Sequence, residues 1–284
     1  MPVVNCTPHS TAIIGSSGFD PRSPRYGDLM GYYDANDITT TFQDDGTATP
    51  ATAVGDPVRR WYAKYGNGAP YFSTASLTNA PTRQVMAGTP LVGLRADGTD
   101  DYLTSSSTNF WKSLHDGTGF TCAMYGYVTD ASPESEFLIY DNINGSSATP
   151  GIYLSYNDAG AVENRPYVQL ETGGGVLVSN NADAGLNDKL PTQTPVILVI
   201  GYDYVSGTTT SRVRTWSSVN NAQVGSTSSS ARAPSSSNPS YALRLFATAV
   251  SAGFRAKMTL TRIAWWSGSA GYESASEIAR GISQ

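Results

Sequence analysis

The strongest constraint in this chain is a period of two. From Phe120 to Val128 the residues alternate. Phe120, Cys122, Met124 and Val128 fall on one side of an extended backbone, and Thr121, Ala123, Tyr125 and Tyr127 on the other. Shorter runs of strand character recur at Leu29–Tyr33, Pro90–Leu94, Tyr102–Leu103, Phe137–Tyr140, Gly151–Tyr156, Tyr167–Leu170, Tyr241–Ala247 and Met258–Trp266. Clusters of Gly, Pro, Asn, Asp and Ser separate them, as turns require. A chain patterned this way must stack sheets to hide its apolar faces.

The clearest hairpin rises from Pro195 to Tyr204, turns through Val205–Thr208 and returns along Ser211–Ser217. Val196–Ile200 is apolar on both faces, which predicts a central strand covered on both sides. On the return arm Val213 and Thr215 share one face, and Arg212, Arg214 and Trp216 the other. The Ser-rich stretch 225–240, with Pro234 and Pro239, reads as a long surface loop. One helix is expected at the C-terminus. There Ser274-Ala275-Ser276-Glu277 has the form of a capping box, and Ile278 and Ile282 share a face.

Only 14% of residues are charged, where a globular domain usually carries about 25%. Ser, Thr, Gly and Asn take their place, a composition that suits turns and solvated strand faces better than helices. With a net charge of -5 and scattered arginines, no basic face for nucleic acid is expected. The longest apolar run, Val196–Ile200, is far too short for a membrane-spanning helix, and the N-terminus has no signal-peptide pattern. Cys6 and Cys122 match no zinc or redox spacing and read as free, buried residues. Residues 1–27, broken by Pro2, Pro8, Pro21 and Pro24, read as an arm in which Val3, Val4, Ile13 and Ile14 would make contacts; residues 28–284 read as one domain.

Three stretches in order carry a family resemblance: Tyr33–Phe42 with Asp45-Gly46-Thr47 and Val54–Trp61; Leu94–Leu103; and Leu260–Trp266 followed by the helix at Ser274–Arg280. Together they resemble the concanavalin A-like (laminin-G-like) jelly-roll domains of bacteriophage virion and bacterial surface proteins. That resemblance implies an all-β, two-sheet antiparallel jelly roll. Ala96 departs from it, because the family usually has a large apolar residue there. Such domains serve as lectins, adhesion modules, glycanases and structural pieces, so the fold leaves the function open.

Several constellations could carry chemistry. Glycanases of this fold use alternating carboxylates, and only Glu134-Ser135-Glu136 alternates here, in a loop-like context. His9 and His115 lack the sequence context of a nucleophile's base. No catalytic residue is therefore expected. Asp97, Asp100 and Asp101 gather three carboxylates that could hold calcium, or could simply cap turn amides. Sugars are bound by aromatic faces beside planar polar groups. Trp216 with Arg212 and Arg214, Tyr125 with Tyr127, and Trp266 are the candidates for a glycan or protein interface. The same rings would also suit burial beneath loops, the arm or a neighbouring subunit.

What the resemblance implies is a non-enzymatic virion structural protein on a phage surface, in capsid decoration, head fibre or tail fibre. It would be synthesised in the host cytoplasm, joined to other virion proteins through its arm, and be homo-oligomeric, with host glycan as a further partner. The alternatives are a carbohydrate-binding or adhesion module, and a glycan-degrading enzyme.

Overall fold

A computed structural model describes residues 19–129, 136–141, 150–156, 166–172, 176–181, 190–205, 210–231, 233–248 and 255–284. The strands in chain order are β1 (Asp28–Asp34), β2 (Thr41–Phe42), β3 (Arg60–Trp61), β4 (Phe72–Ser73), β5 (Thr82–Val85), β6 (Val92–Asp97), β7 (Leu103–Ser105), β8 (Phe120–Val128), β9 (Glu136–Asp141), β10 (Pro150–Tyr156), β11 (Pro166–Thr172), β12 (Val176–Asn181), β13 (Val196–Val205), β14 (Thr210–Ser217), β15 (Ala222–Ser230), β16 (Arg244–Leu245) and β17 (Lys257–Ser267). Two helical pieces, α1 (Ala270–Glu273) and α2 (Ala275–Ile282), end the chain. No helix among the described residues is long and apolar enough to cross a membrane.

The strands form an eight-stranded sheet, ordered β15-β14-β13-β8-β17-β6-β5 with β1 also on β17, and a nine-stranded sheet, ordered β12-β11-β10-β9-β16-β7-β4-β3-β2. The strand pairs are antiparallel. These are the stacked sheets expected from the period of two, arranged as the two-sheet antiparallel jelly roll that the resemblance implies.

Between the sheets lies the main core, centred on a nest of rings. Tyr33 packs edge-on against Trp61, Phe72 and Trp265 at 5.6, 5.1 and 5.8 Å, and Trp265 meets Trp111 at 4.9 Å. The alternation in β8 sorts as its pattern requires. Phe120, Cys122, Met124 and Val128 enter this core, while Ala123, Tyr125 and Tyr127 enter a second one on the sheet's other side. Burial pushes the Cys122 thiol well above the usual thiol range, so it stays an inert, protonated filler. Ala96 is buried opposite Met258, whose long flexible side chain takes up volume that the small residue leaves.

Four local expectations change. The Ser-rich stretch is not all loop: residues 222–230 form edge strand β15, because pairing with β14 satisfies backbone that Ser and Thr can hold extended. Strand β6 runs on to Asp97, and Tyr241–Ala247 contributes only Arg244–Leu245 as a strand. Ser274 does precede α2, but its hydroxyl makes no cap, and Glu277 pairs with Arg25 at 2.6 Å instead of closing a capping box. Residues 19–27 pack on the eight-stranded sheet, with Phe19 and Tyr26 beside Trp266. Val3, Val4, Ile13 and Ile14 lie outside the described residues, as do Cys6, His9 and Glu134.

Candidate functional site

A sandwich has two outer faces, and here they differ. The outer face of the eight-stranded sheet is sealed. Tyr272, Ala275, Ile278, Ala279 and Ile282 of the C-terminal helices lie over Ala123, Tyr125, Ile197, Val199, Ala264 and Trp266, with Tyr26 closing one side. The lid is tied down by polar bonds. The Trp266 indole Nε1 donates to the Pro21 carbonyl at 2.7 Å, and Arg262 Nη1 donates to the Ile282 carbonyl at 2.8 Å.

The rings read from the sequence as open to glycan lie under this cover. Trp266 is 0% exposed and Trp216 8%, and Tyr125 and Tyr127 are buried with them. Arg212 is held by Asp203, its Nε donating to Oδ1 at 3.1 Å. Arg214 lies 4.3 Å over the Tyr272 ring and donates to Glu273 at 2.6 Å. These six residues therefore form a second core and its margin. The physical reason is that β8 and β13 are apolar on both faces, and such strands demand cover on both.

The nine-stranded sheet presents the other outer face, and its register aligns one row across every strand. The positions are Phe42, Arg60, Ser73, Thr104, Arg244, Asp141, Tyr153, Gln169 and Ser179. Local alternation sets Arg60, Ser73, Thr104, Arg244, Tyr153 and Gln169 of this row outward. Trp61, Phe72, Leu103, Leu245, Ile152, Leu154, Val168 and Leu170 point into the core, and the residues between them point away. Arg60, Tyr62, Tyr71, Ser73, Tyr102, Thr104, Tyr153, Tyr167, Gln169 and Arg244 are all half-exposed.

At one end Tyr153 and Tyr167 are a ring pair, 5.3 Å between centroids. The Tyr153 hydroxyl donates to Gln169 Oε1 at 3.1 Å, the Tyr167 hydroxyl donates to the same oxygen, and Gln169 Nε2 donates to Glu171 Oε1 at 2.5 Å. Glu171 is 4% exposed, and its second oxygen, Oε2, is buried with no hydrogen-bond partner. Burial raises its carboxyl above the usual range, against the lowering effect of the Gln169 bond.

At the other end Tyr62 and Tyr71 pair at 5.4 Å. The Arg60 guanidinium sits 4.4 Å from the Tyr71 ring centre, and its Nη1 donates to the Tyr62 hydroxyl at 3.1 Å. Midway, Arg244 lies 4.6 Å over Tyr102, fixed by Nη1 donating to the Thr248 carbonyl at 2.9 Å and Nε donating to Thr104 Oγ1 at 3.3 Å. The face thus offers aromatic rings, guanidinium donors and the Gln169 amide on one sheet. Sequence reasoning missed it by searching the most apolar strands. The available signal was Tyr-Val-Gln-Leu-Glu at 167–171, whose polar residues alternate with apolar ones as in a strand exposed on one side.

The three aspartates do converge. Asp97, Asp100 and Asp101 bring carboxylate oxygens within 4.8 Å of one another. Two of them cap turn amides: Asp101 Oδ2 accepts the Asp97 N–H at 2.9 Å, and Asp97 Oδ1 the Thr99 N–H at 2.7 Å. Burial pushes the Asp101 carboxyl up to about 7. His115 is fully buried, its Nε2 donating to the Ser237 carbonyl at 3.0 Å, so it pins a loop and presents no base to solvent.

No family model and no curated protein matches the chain. Solved structures do. One is an arabinofuranosidase complexed with arabinofuranosyl-α-1,2-xylobiose, with 12% identity and a TM-score of 0.54, covering 93% of this chain and 64% of that one. Another is the CBM40 of a Ruminococcus gnavus IT-sialidase bound to α2,3-sialyllactose (9%, TM-score 0.47, 66% of this chain and 95% of that one). A third is domain 4 of the Geobacillus stearothermophilus arabinanase AbnA in complex with arabinotriose (10%, TM-score 0.44, 89% and 99%). At 12% identity the likeness to the arabinofuranosidase extends to the fold alone, and it agrees with the sheets described above: this chain is a β-sandwich of the jelly-roll kind.

Proposed function

We propose that this chain is a non-catalytic carbohydrate-binding module whose ligand lies on the outer face of the nine-stranded sheet. One observation carries the reading. Of the two outer faces, one is sealed by helices, and the other presents half-exposed tyrosines with Arg60, Arg244 and Gln169 locked beside them. Sugar rings offer C–H faces that pack on aromatic rings, and hydroxyls that both donate and accept. Held side chains limit the ordering cost of binding them. Carbohydrate ligands in the three structures of similar fold belong to those proteins; the case here rests on the face itself. Anchoring in a virion, as the family resemblance implied, depends on the arm, most of which lies outside the described residues. Nothing on the described surface favours it over glycan binding.

A glycan array and pull-downs on insoluble cell-wall polysaccharides test the reading. Tyr153→Ala and Arg244→Ala should each weaken binding about tenfold or more, equivalent to about 1.4 kcal/mol, and Trp216→Phe should leave it unchanged. Absence of binding to any glycan, or binding indifferent to both substitutions, would refute it. Release of new reducing ends during incubation would overturn the non-catalytic part.

A further inference from the structure

The two tyrosine pairs occupy the same outward face at separated places. Tyr71 leads into β4 and Tyr153 lies in β10, and the sheet order puts β7, β16 and β9 between those strands. That is four strand spacings, roughly 19 Å at about 4.8 Å each. One strand spacing is comparable to the advance of a single pyranose along an extended glycan. Between the pairs the register row continues without a gap through Ser73, Thr104, Arg244 and Asp141. The face therefore repeats, across the strands, at the pitch of a sugar chain.

Resting on the carbohydrate reading above, we propose that the ligand is an internal segment of a linear polysaccharide, laid across the strands from the Tyr153–Tyr167 pair, over Arg244 and Tyr102, to the Tyr62–Tyr71 pair. About four to six consecutive sugars fill that length at one per strand spacing. A terminal sugar would need one pocket, and here the described residues carry two ring platforms at separated places along the row. A peptide fits less well. An added strand pairs with a sheet edge, whereas this track crosses the sheet's face. From Arg60 to Gln169 the row offers no aliphatic side chain to anchor one.

The test uses the full chain and size-fractionated oligosaccharides of two to eight residues from xylan, arabinan, laminarin and peptidoglycan glycan strands, measured by calorimetry. Affinity should climb at least tenfold between the trisaccharide and the hexasaccharide of the ladder that binds, then level off. Tyr153→Ala should weaken short and long oligomers alike. Tyr71→Ala, and independently Arg60→Ala, should weaken only those of five residues or more, with melting temperatures confirming that each variant is folded. A disaccharide that binds as tightly as the hexasaccharide, or Tyr71→Ala and Arg60→Ala without effect on long oligomers, overturns the spanning mode and leaves the carbohydrate reading standing. If no saccharide binds, in these ladders or on the array, both fall.

Discussion

Arg262 is the point at which the sealed face can be tested. It is 7% exposed, its Nε lies 3.2 Å from Asp34 Oδ1, and its Nη1 donates to the carbonyl of Ile282 at the end of α2. It thus joins β17, β1 and the C-terminal lid. Replacing it by methionine keeps much of the stem volume but leaves Asp34, itself 5% exposed, with Lys64 Nζ at 3.8 Å as its nearest cation among the described residues. Removing one partner of a buried pair costs about 3–5 kcal/mol, and the nearby Lys64 places the value at the lower end. The lost bond to Ile282 adds about 1 kcal/mol, giving about 4 kcal/mol for Arg262→Met. At roughly 2–4 °C per kcal/mol for a domain of this size the melting temperature falls by about 8–16 °C. Urea titrations followed by tryptophan fluorescence would measure the loss. Adding Asp34→Asn to Arg262→Met should recover about half of it, since no uncompensated charge then remains buried and the Asn oxygen still accepts the Asn36 N–H that Asp34 now caps. An Arg262→Met loss under about 1 kcal/mol, or no recovery in the double variant, would show that the pair does not hold the lid.

Two buried titrating groups predict opposite pH slopes. Burial lowers the His115 imidazole below its ordinary value of 6.5, against the Ser237 bond, which favours the charged form, and its Nδ1 is buried with no acceptor. Its contribution to stability is therefore complete above 6.5 and is lost as pH falls below it. His115→Gln should flatten the fall in melting temperature between pH 7.5 and 5, and an unchanged slope would remove the histidine from the account. The Asp101 carboxyl is raised to about 7, chiefly by burial, from an ordinary 3.8. Its contribution is complete below 3.8 and is lost as pH rises through about 7. Asp101→Asn should gain in melting temperature on the wild type as pH goes from 5 to 8.5, and a constant difference would refute the raised value.

The sheets were legible where a long strand carried an apolar period. In β8 the alternation sorted seven residues between two cores, and in the β13–β14 hairpin it placed Val213 inward and Trp216 outward. Strands β2, β3 and β4 have two residues each and cannot show a period; tertiary packing of Trp61 and Phe72 makes them strands. Strand β12 begins after a glycine run and ends in two asparagines, composition that reads as turn until β11 is there to pair with it. Strand β15 hides in serines for the same reason, as an edge strand specified by its neighbour's backbone more than by its own side chains.

The site was misplaced for a reason contained in the same pattern. A strand apolar on both faces must be covered on both, so rings on the outward side of β8 and β17 belong beneath a lid, and the apolar stripe of α2 is the complementary surface. A strand whose polar residues alternate strictly with apolar ones keeps one side in water, and that is where a ring can meet a ligand. Tyr167, Gln169 and Glu171 alternating with Val168 and Leu170 satisfy the second condition, as do Arg60 and Tyr62 about Trp61. In a two-sheet sandwich the binding face is therefore found by asking which sheet's strands remain amphipathic, before asking where the aromatic residues are most dense. By that criterion the tryptophans of this chain are structural, and its half-exposed tyrosines are the surface left for recognition.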